Sequence, residues 1–114
     1  MAIERLAGDA RGRSRAVACE GHVYTVATAA DITLDVGGQT EQTLAAIDRN
    51  LADSGTDKTR ILSATVYLVD IARKAEMDAV WNAWIGPDNW PQRACVGAAL
   101  HGDTVVEITI VATR

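Results

Sequence analysis

The segment from Thr104 to Thr113 restricts the fold more than any other part of the sequence. Within it, Val106, Ile108 and Ile110 stand two residues apart and are separated by polar side chains. Alternation with a period of two predicts a β-strand that has one face in a hydrophobic core. The fold must therefore contain a sheet, together with something that covers its apolar face.

A second predicted strand, Gln92 to Leu100, comes just before and is joined to the first by His101-Gly102-Asp103. A three-residue connection with Gly in the left-handed position is typical of a β-hairpin. The loop length predicts a register that makes one face nearly all apolar, and we expect that face to lie against helices. The predicted pairs are Leu100 with Thr104, Ala98 with Val106, Val96 with Ile108, and Ala94 with Ile110.

Short segments rich in strand-forming residues predict the rest of the sheet. Ile3 to Ala7 is predicted to be an edge strand, and Ser14 to Glu20 forms a hairpin with the strand that follows Gly21. Ile61 to Val69 is predicted to be a further strand. Its more apolar face is predicted to be Leu62, Ala64, Val66 and Leu68.

Apolar residues at spacings of three and four predict two helices. The first runs from Gln39 to Ser54, carries Leu44, Ile47 and Leu51 on one side, and is stopped by Gly55. The second runs from about Ile71 to Ile85 and can be capped by Asp70. Its apolar stripe is Met77, Trp81, Trp84 and Ile85.

The order strands, helix, strand, helix, strands indicates an α+β fold. We expect one domain, residues 1–114, in which two helices pack on one face of a mixed sheet. No element remains to cover the other face, so we favour its burial in an oligomer over a weakly apolar face left in water. In the predicted register this face carries Cys95, Gly97, Ala99, Val105, Thr109 and Val111.

The charge balance restricts the possible partners. The net charge is −4, and the one basic cluster, Arg11, Arg13 and Arg15, is too short for a general nucleic-acid surface. No stretch reaches the roughly 18 apolar residues of a membrane span, and no signal-peptide pattern is present, so we expect a cytoplasmic location. Cys19 and Cys95 are then expected to be free thiols, and neither lies in a metal-ligand pattern.

Arg93 and Glu107 are the candidate functional residues. The predicted hairpin register places both on the uncovered face, with Glu107 opposite Gly97. About four residues of strand, roughly 13 Å, would separate them, too far for a tight ion pair. They could flank a pocket in which the guanidinium holds a planar carboxylate. Alternatively, each pairs with a neighbouring charge at an interface.

The run Pro91-Gln92-Arg93-Ala94-Cys95-Val96, followed by Val106-Glu107-Ile108, resembles the C-terminal signature of the reactive-intermediate deaminase family, also called RidA/YjgF-like. The likeness extends back through Thr65 to Asp70, the first helix and Val23-Tyr24-Thr25. It covers nearly the whole chain from about Arg13 onward.

The resemblance implies a chorismate-mutase-like fold, a homotrimer whose sheets form a central barrel, and three clefts between subunits. It implies hydrolysis of 2-imino acids or enamines to 2-keto acids and ammonia, without a cofactor. By position, Arg93 binds the substrate carboxylate, Cys95 supplies adjacent backbone groups, and Glu107 activates water. A non-catalytic binder of small carboxylates, such as keto acids, is the alternative.

Three residues of the implied cleft depart from the family pattern. Arg13 replaces a common Tyr, Ala27 a common Gly, and Asp78 a common Asn. If Arg13 reaches the cleft, ligands with a second carboxylate should gain a charge-assisted contact. If it stays in solvent, its charge only discourages pairing of the edge strand with other sheets.

Overall fold

Six β-strands form one sheet in the computed structural model, which describes residues 1–114. In chain order the elements are β1 (Glu4–Ala7), β2 (Ser14–Cys19), β3 (His22–Thr28), α1 (Val36–Asp53), β4 (Ile61–Leu68), α2 (Lys74–Ile85), β5 (Gln92–Gly97) and β6 (Val106–Thr113). The strand order across the sheet is β1-β2-β3-β6-β4-β5. Only β4 and β5 run parallel, so the sheet is mixed, as predicted. The α+β class with one sheet and two helices is confirmed.

An aspartate caps α1, whereas the predicted cap Asp70 belongs to a short 3₁₀ turn and α2 itself begins without a side-chain cap. Asp35 accepts a 2.8 Å hydrogen bond from the Gly38 amide, which starts α1 three residues before the predicted Gln39. Asp70 accepts from the Ala72 amide at 3.0 Å and caps a short 3₁₀ turn, Ile71–Arg73, that leads into α2. The predicted core positions Leu44, Ile47, Leu51, Met77, Trp81 and Ile85 are buried, while Trp84 is only partly buried.

The predicted β5–β6 hairpin is wrong. β5 pairs in parallel with β4, with Val66 beside Cys95, whereas β6 is inserted between β3 and β4. The chain from β4 through α2 to β5 is a β-α-β crossover, and such a connection places the two strands side by side and parallel. Residues 98–105 then carry the chain past β4 to the middle of the sheet. There the apolar β6 gains a partner on each edge.

This topology reverses the predicted faces of β5. Arg93, Cys95 and Gly97 lie beside Ala64, Val66 and Leu68, which are core residues, so they are on the helix side. The predicted core-facing residues Ala94 and Val96 are exposed on the other side. Of the predicted open-face residues, only Thr109 and Val111 lie there in a strand, because Val105 packs against the core and Ala99 is in no strand.

A register shift in β4 accounts for a second correction. The pairing with β6 is irregular between Ile61 and Ser63, so Ile61 enters the core and Leu62 is 48% exposed. An irregularity of this kind moves neighbouring side chains to the other face of the sheet. Ala64, Val66 and Leu68 are buried as predicted.

The face of the sheet away from the helices has no element over it. Tyr24 is 49% and Val96 is 42% exposed there, with Tyr67, Thr109 and Val111 partly exposed between them. An apolar surface of this kind is a candidate association surface. Neither helix is long and apolar enough to cross a membrane.

Candidate functional site

Arg93 lies on the helix side of the edge strand β5, where α2 covers it. Its Nη2 donates to Asp78 Oδ1 at 2.7 Å, and its Cζ lies 5.2 Å from the centre of the Trp81 ring. Its Nη1 lies 3.9 Å from the Met77 sulfur. The side chain is 19% exposed. A guanidinium held over an aromatic face and by one carboxylate is fixed in direction, and no oxygen of the chain accepts from its Nε or Nη1.

Asp78 joins two cations at this position. Lys74, one turn earlier on α2, donates to Asp78 Oδ2 at 2.6 Å, while Arg93 holds Oδ1. Partial burial raises the pKa of the Asp78 carboxyl, but the hydrogen bonds and positive charges of Lys74 and Arg93 outweigh it, so this pKa is lowered overall. The group is therefore ionised at neutral pH. The stability it contributes is present above the ordinary Asp pKa and is lost as the pH falls through the lowered value.

Cys95 lies two residues along β5, on the same side as Arg93. Burial raises the pKa of its thiol, although the positive charges of Arg93 and Lys74 oppose that shift. Because the thiolate is the nucleophilic form, a raised pKa makes this side chain a weak nucleophile at neutral pH. Cys95 and Cys19 are both free thiols.

An open groove of about 560 Å³ runs beside Arg93. Trp90, just before the Pro91 of the signature, is 76% exposed at its edge and donates from Nε1 to the Gly86 carbonyl at 2.7 Å. Trp90 was not among the predicted site residues, although an aromatic residue next to the Pro-x-Arg motif is a usable signal. The lining residues are Trp81, Asn82, Gly86, Pro87, Trp90, Pro91 and Arg93.

A separate cavity of about 470 Å³ contains Arg13 and Ala27. The cavity forms because the pairing between β2 and β3 stops at Ala16 and Thr25. The last three residues of β3, 26–28, therefore have no β2 residue beside them. The side of α1 that carries Arg49 closes it. The full lining is Ala7, Gly8, Asp9, Ala10, Arg13, Arg15, Val26, Ala27, Thr28, Ala46, Arg49, Asn50 and Asp53.

The arginines of the basic cluster, Arg11, Arg13 and Arg15, do not lie along one strand. Arg11 and Arg13 precede β2, and only Arg15 is in the strand. The β1–β2 register shifts at Leu6 and Ala7, and Arg15 reaches α1. There it contacts Asn50 Oδ1 and Asp53 Oδ2, each at 2.9 Å. An irregularity in strand pairing changes the direction of the neighbouring side chains. The alternation of residues in the sequence does not show where such an irregularity lies.

Glu107 lies on the face opposite to Arg93. It is paired with Thr28 of β3 and Tyr67 of β4, both of which point away from the helices. The prediction that Arg93 and Glu107 share a face is therefore wrong within one chain. The Glu107 carboxylate is half-buried and has no hydrogen-bond or ion-pair partner in the chain.

The sheet order keeps the candidate residues in two groups. Arg93, Asp78 and Cys95 are at the β5 edge, whereas Arg13 and Ala27 are near the opposite edge, formed by β1 and β2. Four strand spacings separate β2 from β5, which is about 19 Å. One chain therefore does not bring all the predicted site residues together. No three His, Cys, Asp or Glu side chains cluster as a metal site would require.

Residues 9–114 match a family model described as Endoribonuclease L-PSP. The chain belongs to this family. A RutC family protein from Haemophilus ducreyi is 47% identical over 83 residues, which cover 72% of this chain and 71% of the relative. The RutC family protein YoaB from Escherichia coli is 36% identical over 113 residues, or 98% of each chain.

A solved structure of a YjgF family member from Neisseria meningitidis superimposes on this L-PSP chain with a TM-score of 0.94. The two are 36% identical, and the match covers 100% of this chain and 96% of the other. The resemblance to the RidA/YjgF-like family is therefore confirmed. The insertion of β6 between β3 and β4 belongs to a chain fold shared with that relative.

Proposed function

We propose that this protein hydrolyses 2-imino acids, or their enamine tautomers, to 2-keto acids and ammonia without a cofactor. The observation that carries the proposal is Arg93, a largely buried guanidinium that lies over Trp81 beside an open groove. A planar guanidinium holds a carboxylate through two parallel hydrogen bonds, which would fix the acid end of the substrate. Asp78 occupies only Nη2, and the chain offers no oxygen acceptor to Nε or Nη1.

A cleft between subunits would join the two groups of residues that one chain keeps apart. If the β5 edge of one subunit meets the β1–β2 edge of the next, the contact is head to tail, and such contacts can close into a ring. A ring of three is the assembly that the family resemblance implies. It would also place the uncovered sheet face against other subunits, which its exposed Tyr24 and Val96 favour.

In the proposed reaction Arg93 holds the carboxylate while water adds to the carbon of the C=N bond. A C–O bond forms and the nitrogen gains a proton, which gives a carbinolamine. The C–N bond then breaks, ammonia leaves, and the hydroxyl loses its proton to become the keto group. Within one chain Glu107 faces away from Arg93, so the Glu107 that reaches this substrate would be that of the neighbouring subunit, beside the Thr28 that lines the cavity with Arg13. It is suited to carry the proton between oxygen and nitrogen, because its carboxylate has no partner within its own chain. Cys95 takes no covalent part, because its thiol stays protonated.

A non-catalytic carboxylate-binding protein is the second candidate, and Asp78 is the observation that favours it. Where the family commonly has a neutral Asn, this chain has a carboxylate bonded to Arg93 at 2.7 Å. That change alters the charge at the proposed substrate carboxylate. A negative charge at this position favours a cleft that binds a different acid without turning it over.

Ribonuclease activity, which the family description names, finds less support. The net charge of −4 does not attract a phosphate backbone. Trp90 is exposed at 76%, but it stands alone rather than in a row of aromatic residues for successive bases. We therefore propose small carboxylates, and no nucleic acid, as ligands.

Turnover of freshly generated 2-iminobutanoate and 2-iminopropanoate tests the proposal. The parent should release ammonia and keto acid faster than buffer alone. Arg93→Gln should lose about tenfold or more of this activity, since a charge-assisted contact to the substrate is removed. Arg60→Gln, which removes an exposed arginine from the 3₁₀ turn before β4, is the matched control. If the parent binds 2-oxobutanoate through Arg93 but releases no ammonia, the protein is a binder.

A further inference from the structure

The cavity beside Ala27 holds two arginines that the chain leaves without a partner. Arg13 enters from the turn before β2 and Arg49 from α1, and neither side chain forms an ion pair or a hydrogen bond within the chain. Arg15, in the same cavity, differs because Asp53, Asn50 and the Ala7 carbonyl all accept from it. The guanidinium groups of Arg13 and Arg49 are therefore available to a ligand, whereas that of Arg15 is already bonded within the chain.

The charges in the cavity favour an anion although the whole protein is acidic. Its lining holds three arginines and two aspartates, which leaves one positive charge, while the chain carries −4. One of the aspartates, Asp53, is already bonded to Arg15 at 2.9 Å. Asp9 is the other carboxylate in the lining. Two guanidinium groups that line one cavity and have no partner within the chain are suited to hold an oxyanion such as a carboxylate or a phosphate.

The size and walls of the cavity suit part of a small metabolite. About 470 Å³ is within the range of ligand pockets, which is about 300–1,000 Å³. Ala7, Gly8, Ala10 and Ala46 line it with short side chains, which take up little of its volume. A Cβ on Gly8 would lie only 3.2 Å from the Arg15 Cβ, so a larger residue there would crowd Arg15.

We infer that Arg13 and Arg49 bind the distal carboxylate of a dicarboxylic 2-imino acid or 2-keto acid. This inference rests on the proposed function, because the Arg93 of a neighbouring subunit would hold the first carboxylate at the same cleft. A substrate with an acid group at each end then meets a guanidinium site at each end. Arg49 becomes a specificity-determining residue that the family motif does not contain.

Binding to the intact assembly tests this inference, with keto acids as probes. Calorimetry at fixed salt compares 2-oxobutanoate with the dicarboxylic 2-oxosuccinate, 2-oxoglutarate and 2-oxoadipate. At least one dicarboxylate should bind about tenfold to a hundredfold more tightly than 2-oxobutanoate, as one further charge-assisted contact predicts. Arg49→Gln and Arg13→Gln should each reduce that ratio at least about fivefold. Arg60→Gln should leave it unchanged.

The outcomes separate this inference from the proposed function. If 2-oxobutanoate binds in an Arg93-dependent way but no dicarboxylate binds more tightly, the second site is refuted and the first stands. A dicarboxylate preference that both arginine variants keep also refutes the second site. If neither class of acid binds, both ideas fail. Inorganic phosphate is titrated in parallel, and arginine-dependent phosphate binding without a dicarboxylate preference would assign the cavity to another anion.

Discussion

Replacing Asp78 by Asn should strengthen the binding of a substrate carboxylate to Arg93. Asp78 Oδ1 accepts from Arg93 Nη2 at 2.7 Å, so a ligand that uses this nitrogen must displace or share that bond. Asn keeps nearly the same shape and can still accept a hydrogen bond, but it carries no charge. The substitution therefore removes an internal competitor and keeps the arginine in position.

The magnitude follows from two opposed effects. The first is the repulsion between the Asp78 carboxylate and the carboxylate of the ligand. At a separation of about 5 Å it amounts to about 3 kcal/mol at an effective dielectric constant of about 20. Lys74, 2.6 Å from Asp78 Oδ2, offsets part of this repulsion. A gain of about 1–3 kcal/mol remains, which corresponds to about a fivefold to 150-fold lower Kd.

Calorimetric titration of 2-oxobutanoate into the parent and Asp78→Asn would measure this gain. Glu76→Gln is the matched control, because it removes the same charge from the same helix. Glu76 is bonded to Arg73 at 2.9 Å rather than to Arg93. An unchanged or higher Kd for Asp78→Asn would refute the competition, and would show that the carboxylate acts by orienting the arginine.

Three further outcomes are expected. Glu107→Gln should reduce imine turnover about a hundredfold or more, which is the usual effect of losing a general acid–base group. Binding of 2-oxobutanoate should persist in this variant. Equal initial rates of ammonia release in variant and parent would remove Glu107 from the mechanism. Cys95→Ser should retain turnover because the thiol is protonated, and a large loss of rate would restore a nucleophilic role. Light scattering should give three times the chain mass of 12.1 kDa, and a monomer at micromolar concentration would contradict the intersubunit site.

The elements themselves were predictable because each depends on a local pattern. The spacing of Leu44, Ile47 and Leu51 is enough to identify α1 and its buried side. The alternation of Val106, Ile108 and Ile110 identifies β6 and its core face. Periodicity reports which side of a strand is buried and says nothing about which strands lie beside it. The β5–β6 pairing failed for this reason, since a short loop was taken to join neighbouring strands.

Candidate site residues could be named from the sequence, but their arrangement could not. The family signature identified Arg93, and Asp78 was noted separately as a departure from the family pattern. Their 2.7 Å contact joins a strand to a helix 15 residues away and depends on how α2 packs. Arg49 was missed because an arginine on the polar side of an amphipathic helix looks solvated in sequence. Only the gap between the ends of β2 and β3 shows that it lines a cavity.

The position of β6 has a consequence for how the chain folds during synthesis. β3 and β4 do not touch each other as sheet neighbours, and both bond to β6, which comes last of the eight elements in chain order. Until residues 106–113 have been synthesised, β1–β3 and β4–β5 are two separate pieces with bare inner edges. Such edges can pair with other chains, so the nascent protein is most exposed to aggregation just before its last strand arrives.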